Sequence, residues 1–294
     1  MSKNKSPQAE ANKYAILWKT MFPGQFPIDV KKIALEISGK QKDSIGGIKT
    51  FSELGHGDID CEGMLYYVQK DDRWFIVYND QSKRSHNFTL AHEFGHYCLH
   101  RTRHQKFQCS IGDIDDKNIQ DLKEMEREAD TFASYLLMPI DDFKQQIEGQ
   151  QISFDLFERC MNRYETSFTS VVLKWLEFTH LHAVLVVSVD GFILWSRSSR
   201  TAFKSGIYFK SGEELPEGSF AKQKIDHKSV ENHNLPVAAR NYSYPVKELS
   251  FYSEAYEQTF TLLIFSGVDV DKYDDYQEGG EEDCVDRFER FNQN

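Results

Sequence analysis

The residues of this 294-residue chain whose types and spacing most plainly permit chemistry are His92-Glu93-Phe94-Gly95-His96. On a helix, residues four apart are rotated by only ~40° and separated by ~6 Å along the axis. Two imidazoles at that spacing can converge on one tetrahedral metal ion. Glu93 lies further round the helix, too far to join as an ordinary third ligand, and faces instead a water held in the open coordination position. Zinc lowers the pKa of a bound water to ~7. A carboxylate beside that water can take its proton and pass it to a leaving amine, which is the chemistry of peptide hydrolysis. The plain alternative is an amphipathic core helix packed through Phe88, Ala91, Gly95 and Leu99, with both histidines facing solvent. The position of the motif, mid-helix and directly after a strand, favours the metal.

A third ligand has to come from elsewhere. A third histidine of the metzincin kind would fall at position 102, which is Thr102, and Leu99 stands where that pattern has glycine. His100 is ~12 Å along the axis from His92, too far for one ion. The following helix offers Glu124, Glu126, Glu128 and Asp130. Its apolar stripe is Ala129, Phe132, Ala133 and Leu136; Glu126 borders it on the side of Asp130, and Glu128 lies on the other side. Glu126 is therefore the expected third ligand, with Glu128 the alternative. Asp130, one turn on, is placed to hold a ligand histidine by its second nitrogen. For most of these acids a solvated helix face is the ordinary reading. Cys109 lies in the loop joining the two helices, both of which must approach the metal. A thiolate in the fourth position would displace the catalytic water and keep an enzyme latent, so Cys109 is a candidate regulatory ligand; the alternative is an ordinary free cysteine.

The elements that must position these groups follow from pattern. A helix is expected over 8–21, with Ala11, Ala15, Leu17, Trp18 and Met21 on its apolar face and Pro23-Gly24 as its stop. A second runs from an Asp29 N-cap to about Ile37. A loop-rich stretch through Gly57 leads to strands Met64–Val68 and Trp74–Tyr78 around a turn at Lys70–Arg73. An extended substrate is expected to add a strand to that sheet. Helices over about 87–100 and 117–137 flank a polar loop, Pro139 ends the second, and 141–179 reads as wholly helical. After His182 the apolar runs Val184–Val187, Phe192–Trp195, Tyr244–Lys247 and Phe260–Phe265 read as strands. The fold class is therefore α+β.

Composition adds limits. Apolar residues make up 40% and charged residues 28% of the chain, ordinary for a globular protein. No apolar run approaches the ~20 residues that span a bilayer. The basic start is not followed by an apolar segment, so no secretory signal is read there. Cys61, Cys98, Cys109, Cys160 and Cys284 are odd in number, scattered and without a CxxC pair, which suits free thiols in the cytoplasm. The net charge of −11 is concentrated after Val268, where ten carboxylates face Lys272, Arg287 and Arg290, a balance of −7 that leaves −4 for the rest. Residues 150–179 resemble a helix-turn-helix in layout, but Asp155, Glu158, Glu165 and Glu177 offer little to phosphate, so a structural role is expected. Trp195–Arg200 is the more credible phosphate contact.

Asn87-Phe88-Thr89-Leu90-Ala91-His92-Glu93-Phe94-Gly95-His96, followed by His100, resembles the peptidase signature of the ImmA/IrrE family of metallo-endopeptidases. Glu126-Arg127-Glu128-Ala129-Asp130-Thr131-Phe132-Ala133-Ser134-Tyr135-Leu136-Leu137-Met138-Pro139 resembles that family's second block. The likeness covers about residues 25–180 and is faint beyond. It implies a gluzincin-like zinc fold with a small sheet, and a GAF-like C-terminal domain as in some members. It further implies a narrow protein substrate, a helix-turn-helix repressor, whose cleavage releases stress-response, mobile-element or anti-phage genes. The resulting division is 8–140 as zinc peptidase, 141–180 as helical subdomain, 181–268 as a β-rich sensor for a small ligand or nucleic acid, and 269–294 as an acidic tail. The rival reading is a non-catalytic signal-binding transcriptional regulator that keeps the peptidase fold; such a protein has no need of Glu93.

Overall fold

A computed structural model of the chain describes residues 6–40, 48–54, 63–70, 72–79, 83–103, 106–108, 116–222, 228–238 and 241–268. They divide into two compact units. The first takes the residues up to Gln150 together with Glu158–Phe168; the second takes Gln151–Phe157 and the residues from Thr169 on.

The first unit is mainly helical. α1 (Pro7–Met21) starts with proline at its first position, behind Ser6 as N-cap. It buries Ala11, Tyr14, Ala15 and Trp18, which recur at helical spacing; Met21 is exposed and Leu17 only half-buried, so the inward stripe sits nearer Tyr14 than the sequence pattern places it. α2 (Val30–Lys40) follows Asp29, whose Oδ1 accepts the Lys32 N–H at 2.9 Å. α3 (Lys83–Leu99) and α4 (Asp116–Leu137) pack on each other and on α1. Tyr14, Phe94 and Phe132 close an aromatic triangle across the three helices, with centroids 5.5, 5.6 and 6.1 Å apart. Each such pair contributes ~0.5–1.5 kcal/mol beyond its burial.

Four strands complete this unit: β1 (Ile48–Leu54), β2 (Gly63–Val68), β3 (Arg73–Asn79) and β4 (Lys106–Gln108), in the order β1-β3-β2-β4. β1 runs parallel to β3; the other pairs are antiparallel. The β2–β3 hairpin is therefore interior. Among the described residues β3 is paired along both edges and β2 is paired with β4 at Met64–Tyr66, so the edges left for an extended ligand to add to this sheet are those of β1 and β4. β1 and β4 lie in stretches that read as loop: β4 is three residues long, too short to show a period, and β1 carries no clean alternation.

Residues 141–179 hold three helices: α5 (Ile140–Ile147), α6 (Phe154–Tyr164) and α7 (Phe168–Phe178). Gly149 after α5 has φ +67°, a left-handed conformation that favours glycine. Asp142 of α5 accepts from Arg163 Nε and Nη2, each at 2.7 Å, and from the Tyr164 hydroxyl at 2.6 Å, clamping α5 to the end of α6.

The second unit is a five-stranded antiparallel sheet in the order β6-β5-β9-β8-β7. Its strands are β5 (His182–Val189), β6 (Phe192–Ser198), β7 (Ser229–Val237), β8 (Tyr242–Ser253) and β9 (Gln258–Phe265). β5 is buried on both faces, which is why it reads as an unbroken apolar run. β7 escapes a sequence reading because Glu231, Asn232, His233, Asn234 and Pro236 mark it as loop. One face packs Val184, Val186, Ile193, Leu235, Val246 and Leu263 with Ala202 of the short α8 (Arg200–Lys204). Phe154 lies against Phe251, centroids 5.9 Å apart, and Lys247 Nζ donates to the Ile152 carbonyl at 2.7 Å. The architecture is α+β, with helices dominating the N-terminal part and strands the C-terminal part. Among the described residues no helix is long and apolar enough to cross a membrane.

Candidate metal centre

α3 carries His92 and His96 on the side turned toward α4, and α4 presents Glu126 to them. His92 Nε2 lies 3.0 Å from His96 Nε2 and 3.0 Å from Glu126 Oε2, and His96 Nε2 lies 3.3 Å from Glu126 Oε1. A tetrahedral ion with bonds of ~2.0–2.1 Å holds its ligand atoms ~3.3 Å apart, so the three donors have nearly the spacing of a common ion. Among the described residues this is the one cluster of histidine, cysteine and carboxylate atoms tight enough to hold a metal.

Proximity of the two helices depends on Gly95, the fourth residue of the motif. A Cβ there would meet Ala129 Cα and O at 3.3 Å and Phe132 at 3.1 Å, so a side chain at this position would press on α4 by a few tenths of an ångström. The other side of the motif helix is approached as closely by β2. A Cβ on Gly63 would stand 2.5 Å from Thr89 Cγ2 and 2.9 Å from Glu93 Oε1.

Further groups orient the histidines. Asp130 Oδ1 lies 2.8 Å from His92 Nδ1. A carboxylate only accepts, so Nδ1 carries the hydrogen and Nε2 turns its lone pair to the centre. Glu128, on the far side of α4 from Glu126, does not reach the centre; its Oε2 lies 2.8 Å from His100 Nε2, and His100 Nδ1 lies 3.0 Å from His96 Nδ1. From sequence, Glu128 is legible only as a rival ligand and His100 only as a residue too distant to bind. The signal for His100 is its position four residues after His96, the spacing of the motif itself. Cys109 lies outside the described residues. Cys98 is buried, and Arg101 caps the end of α3 through the Tyr97 and Cys98 carbonyls at 2.7 and 3.2 Å.

Electrostatics separate the two glutamates. Burial pushes Glu93 up to about 8; the His92 imidazole opposes the rise, Glu126 adds to it, and the Leu65 backbone N–H lowers it. Burial also acts to raise Glu126, but His96 and His92 overcome it and hold that carboxyl well below its usual range. Burial lowers His96 and takes His100 down to about 3, in the direction of the neutral imidazole that a metal ligand must be. Glu93 is 1% exposed, and its Oε2 has no hydrogen-bond partner among the described residues. A buried, unpartnered carboxylate oxygen beside three converging lone-pair donors fits a bound cation with a water.

Residues 47–176 match the family model of the M78 peptidases, described as the IrrE N-terminal-like domain. No curated protein sequence matches the chain. Among solved structures it is similar to a Mycobacterium tuberculosis transcriptional regulator, with a TM-score of 0.50 and 11% identity over 90% of this chain and 86% of that one, a likeness of fold alone.

Proposed function

We propose that this chain, whose residues 47–176 form an IrrE N-terminal-like domain of the M78 peptidases, is a zinc-dependent endopeptidase acting on a specific protein. The observation that carries the reading is the pairing of His92, His96 and Glu126 within 3.3 Å of one another with the buried, unpartnered Glu93 Oε2. His92, His96 and Glu126 would hold the ion, Asp130 fixes the His92 ring, and Glu93 would serve as general base and then general acid. A bound zinc ion supplies Lewis acidity and a water with pKa ~7. With zinc bound, Glu93 would be placed to accept a proton from such a water on Oε2 and return it to the leaving nitrogen. Gly63 and the Leu65 N–H hold the carboxylate against β2. A peptide in extended form pairs with the outer edge of β4, whose Gln108 is opposite Met64, next to Gly63.

By family resemblance the substrate is a helix-turn-helix repressor, and its cleavage derepresses stress, mobile-element or anti-phage genes in the cytoplasm. The C-terminal sheet, GAF-like by the same resemblance, takes a small ligand or nucleic acid as the signal. The test uses purified full-length protein with one equivalent of zinc, incubated with helix-turn-helix proteins encoded beside its gene and read by intact mass. Cleavage at one bond that disappears with Glu93→Gln is expected. Equal cleavage by Glu93→Gln overturns the mechanism, and no cleavage of any such protein overturns the substrate class.

A further inference from the structure

Glu128 touches none of the three ligand atoms, yet the hydrogen-bond chain it begins ends on one of them. An ionised carboxylate only accepts. Glu128 Oε2, 2.8 Å from His100 Nε2, therefore requires the hydrogen of His100 to be on Nε2. A neutral imidazole has a single N–H, so His100 Nδ1 is left as a lone pair. It faces His96 Nδ1 at 3.0 Å, on the side of the ring away from the ion's place, and two lone pairs do not meet at that distance without a hydrogen or an ion between them. His96 must donate from Nδ1, which leaves Nε2 as a lone pair aimed between His92 Nε2 and Glu126.

We propose that Glu128 and His100 are positioning residues that together fix His96 in its metal-binding tautomer. Reversing the chain shows what they prevent. With the hydrogen of His100 on Nδ1, His96 would accept there and carry its own hydrogen on Nε2, directed at the ion's place. Each ligand histidine is thus governed by a carboxylate of α4: His92 directly by Asp130, and His96 by Glu128 through one intervening ring. His100 is 1% exposed, so water does not compete for either of its nitrogens.

The proposal rests on the reading of His92, His96 and Glu126 as ligands, and the experiment separates the two. Full-length protein labelled with 15N-histidine and loaded with zinc is examined by long-range 1H–15N correlation, which identifies the tautomer of each ring. His100 is expected as the Nε2–H form. Zinc affinity is then measured by chelator competition for wild type, His100→Leu, Glu128→Leu and His100→Asn, with the thermal midpoint of each chelated protein as a folding control. Removing an outer partner of a ligand histidine weakens metal affinity ~10–100-fold, and that loss is expected for both leucine variants. The amide oxygen introduced by His100→Asn again accepts from His96 Nδ1–H, so this variant should recover most of the affinity. A purely structural role would lower the midpoint and leave the affinity of the folded protein unchanged. His100 found as the Nδ1–H form, or Glu128→Leu binding zinc within about twofold of wild type, overturns the proposal while leaving the metal site intact. Wild type that takes up no zinc overturns the site, and the proposal with it.

Discussion

Replacing Gly63 by alanine places one methyl group where β2 crosses the motif helix. The new carbon would lie 2.5 Å from Thr89 Cγ2, against the ~3.5–4.0 Å of an ordinary carbon contact. Thr89 has little room to swing aside: it is buried, and on a helix threonine is held to two χ1 rotamers. The strand has to retreat by about 1 Å, straining its pairing with β3 and β4, and overpacking of this kind costs ~1–3 kcal/mol. For a unit of this size each kcal/mol lowers the midpoint by ~2–4 °C, so a fall of roughly 2–12 °C is expected. The calorimetric transition to follow is the one that moves when metal is chelated. The same methyl meets Glu93 Oε1 at 2.9 Å and Cγ at 3.2 Å, and a displacement of ~1 Å at a reacting group costs ~100-fold in rate. Thr89→Ser removes the Cγ2 contact but not the Glu93 one. The double variant should therefore regain stability and stay slow. An unchanged midpoint in Gly63→Ala, or a double variant no more stable than the single, refutes the packing argument.

Glu93→Gln should retain about one zinc per chain while abolishing cleavage, whereas His92→Ala should lose both; metal analysis beside a cleavage assay distinguishes base from ligand. Glu126→Gln should weaken zinc binding more than Glu128→Gln does, and the reverse order under mild chelation would exchange their roles. Cys98 and Cys160 are buried, and burial pushes the Cys160 thiol up to about 11, so both should resist a thiol reagent at about pH 8 until denaturant is added. Fast labelling of either in native protein counts against the packing. Burial lowers Lys174 to about 8, with Glu177 opposing. The unfolded chain therefore binds the extra proton between about pH 8 and 10.5, and stability rises with pH across that window. Lys174→Met should stabilise the second unit by on the order of 2–3 kcal/mol near pH 7, with the gain fading above about pH 8; a gain independent of pH would contradict this.

Local periodicity made α4 legible, because it carries a clear apolar stripe, whereas α3, buried nearly all round, was legible from its motif histidines, which share one face. The stripe of α4 also separated Glu126 from Glu128, since one helix turn is a local property. Features that depend on register between elements were not legible. Gly63 is an ordinary glycine until β2 is laid across Thr89. Glu128 finds His100 only once α3 and α4 are aligned at Gly95 and Ala129. β7 was hidden by its polar composition, because an edge strand with one wet face needs few apolar residues.

The interleaving of the two units has a consequence for synthesis. The first unit lacks Glu158–Phe168 until that stretch has left the ribosome, by which time Gln151–Phe157 of the second unit has already emerged. Phe154 then waits for Phe251, roughly 100 residues later, an interval of about 5–20 s at ordinary elongation rates. During it Gln151–Phe157 has no sheet to join. The same interleaving means that no single break in the gene separates the units: a cut after residue 150 truncates the first, and a cut after 168 leaves the second without Phe154 and Phe157.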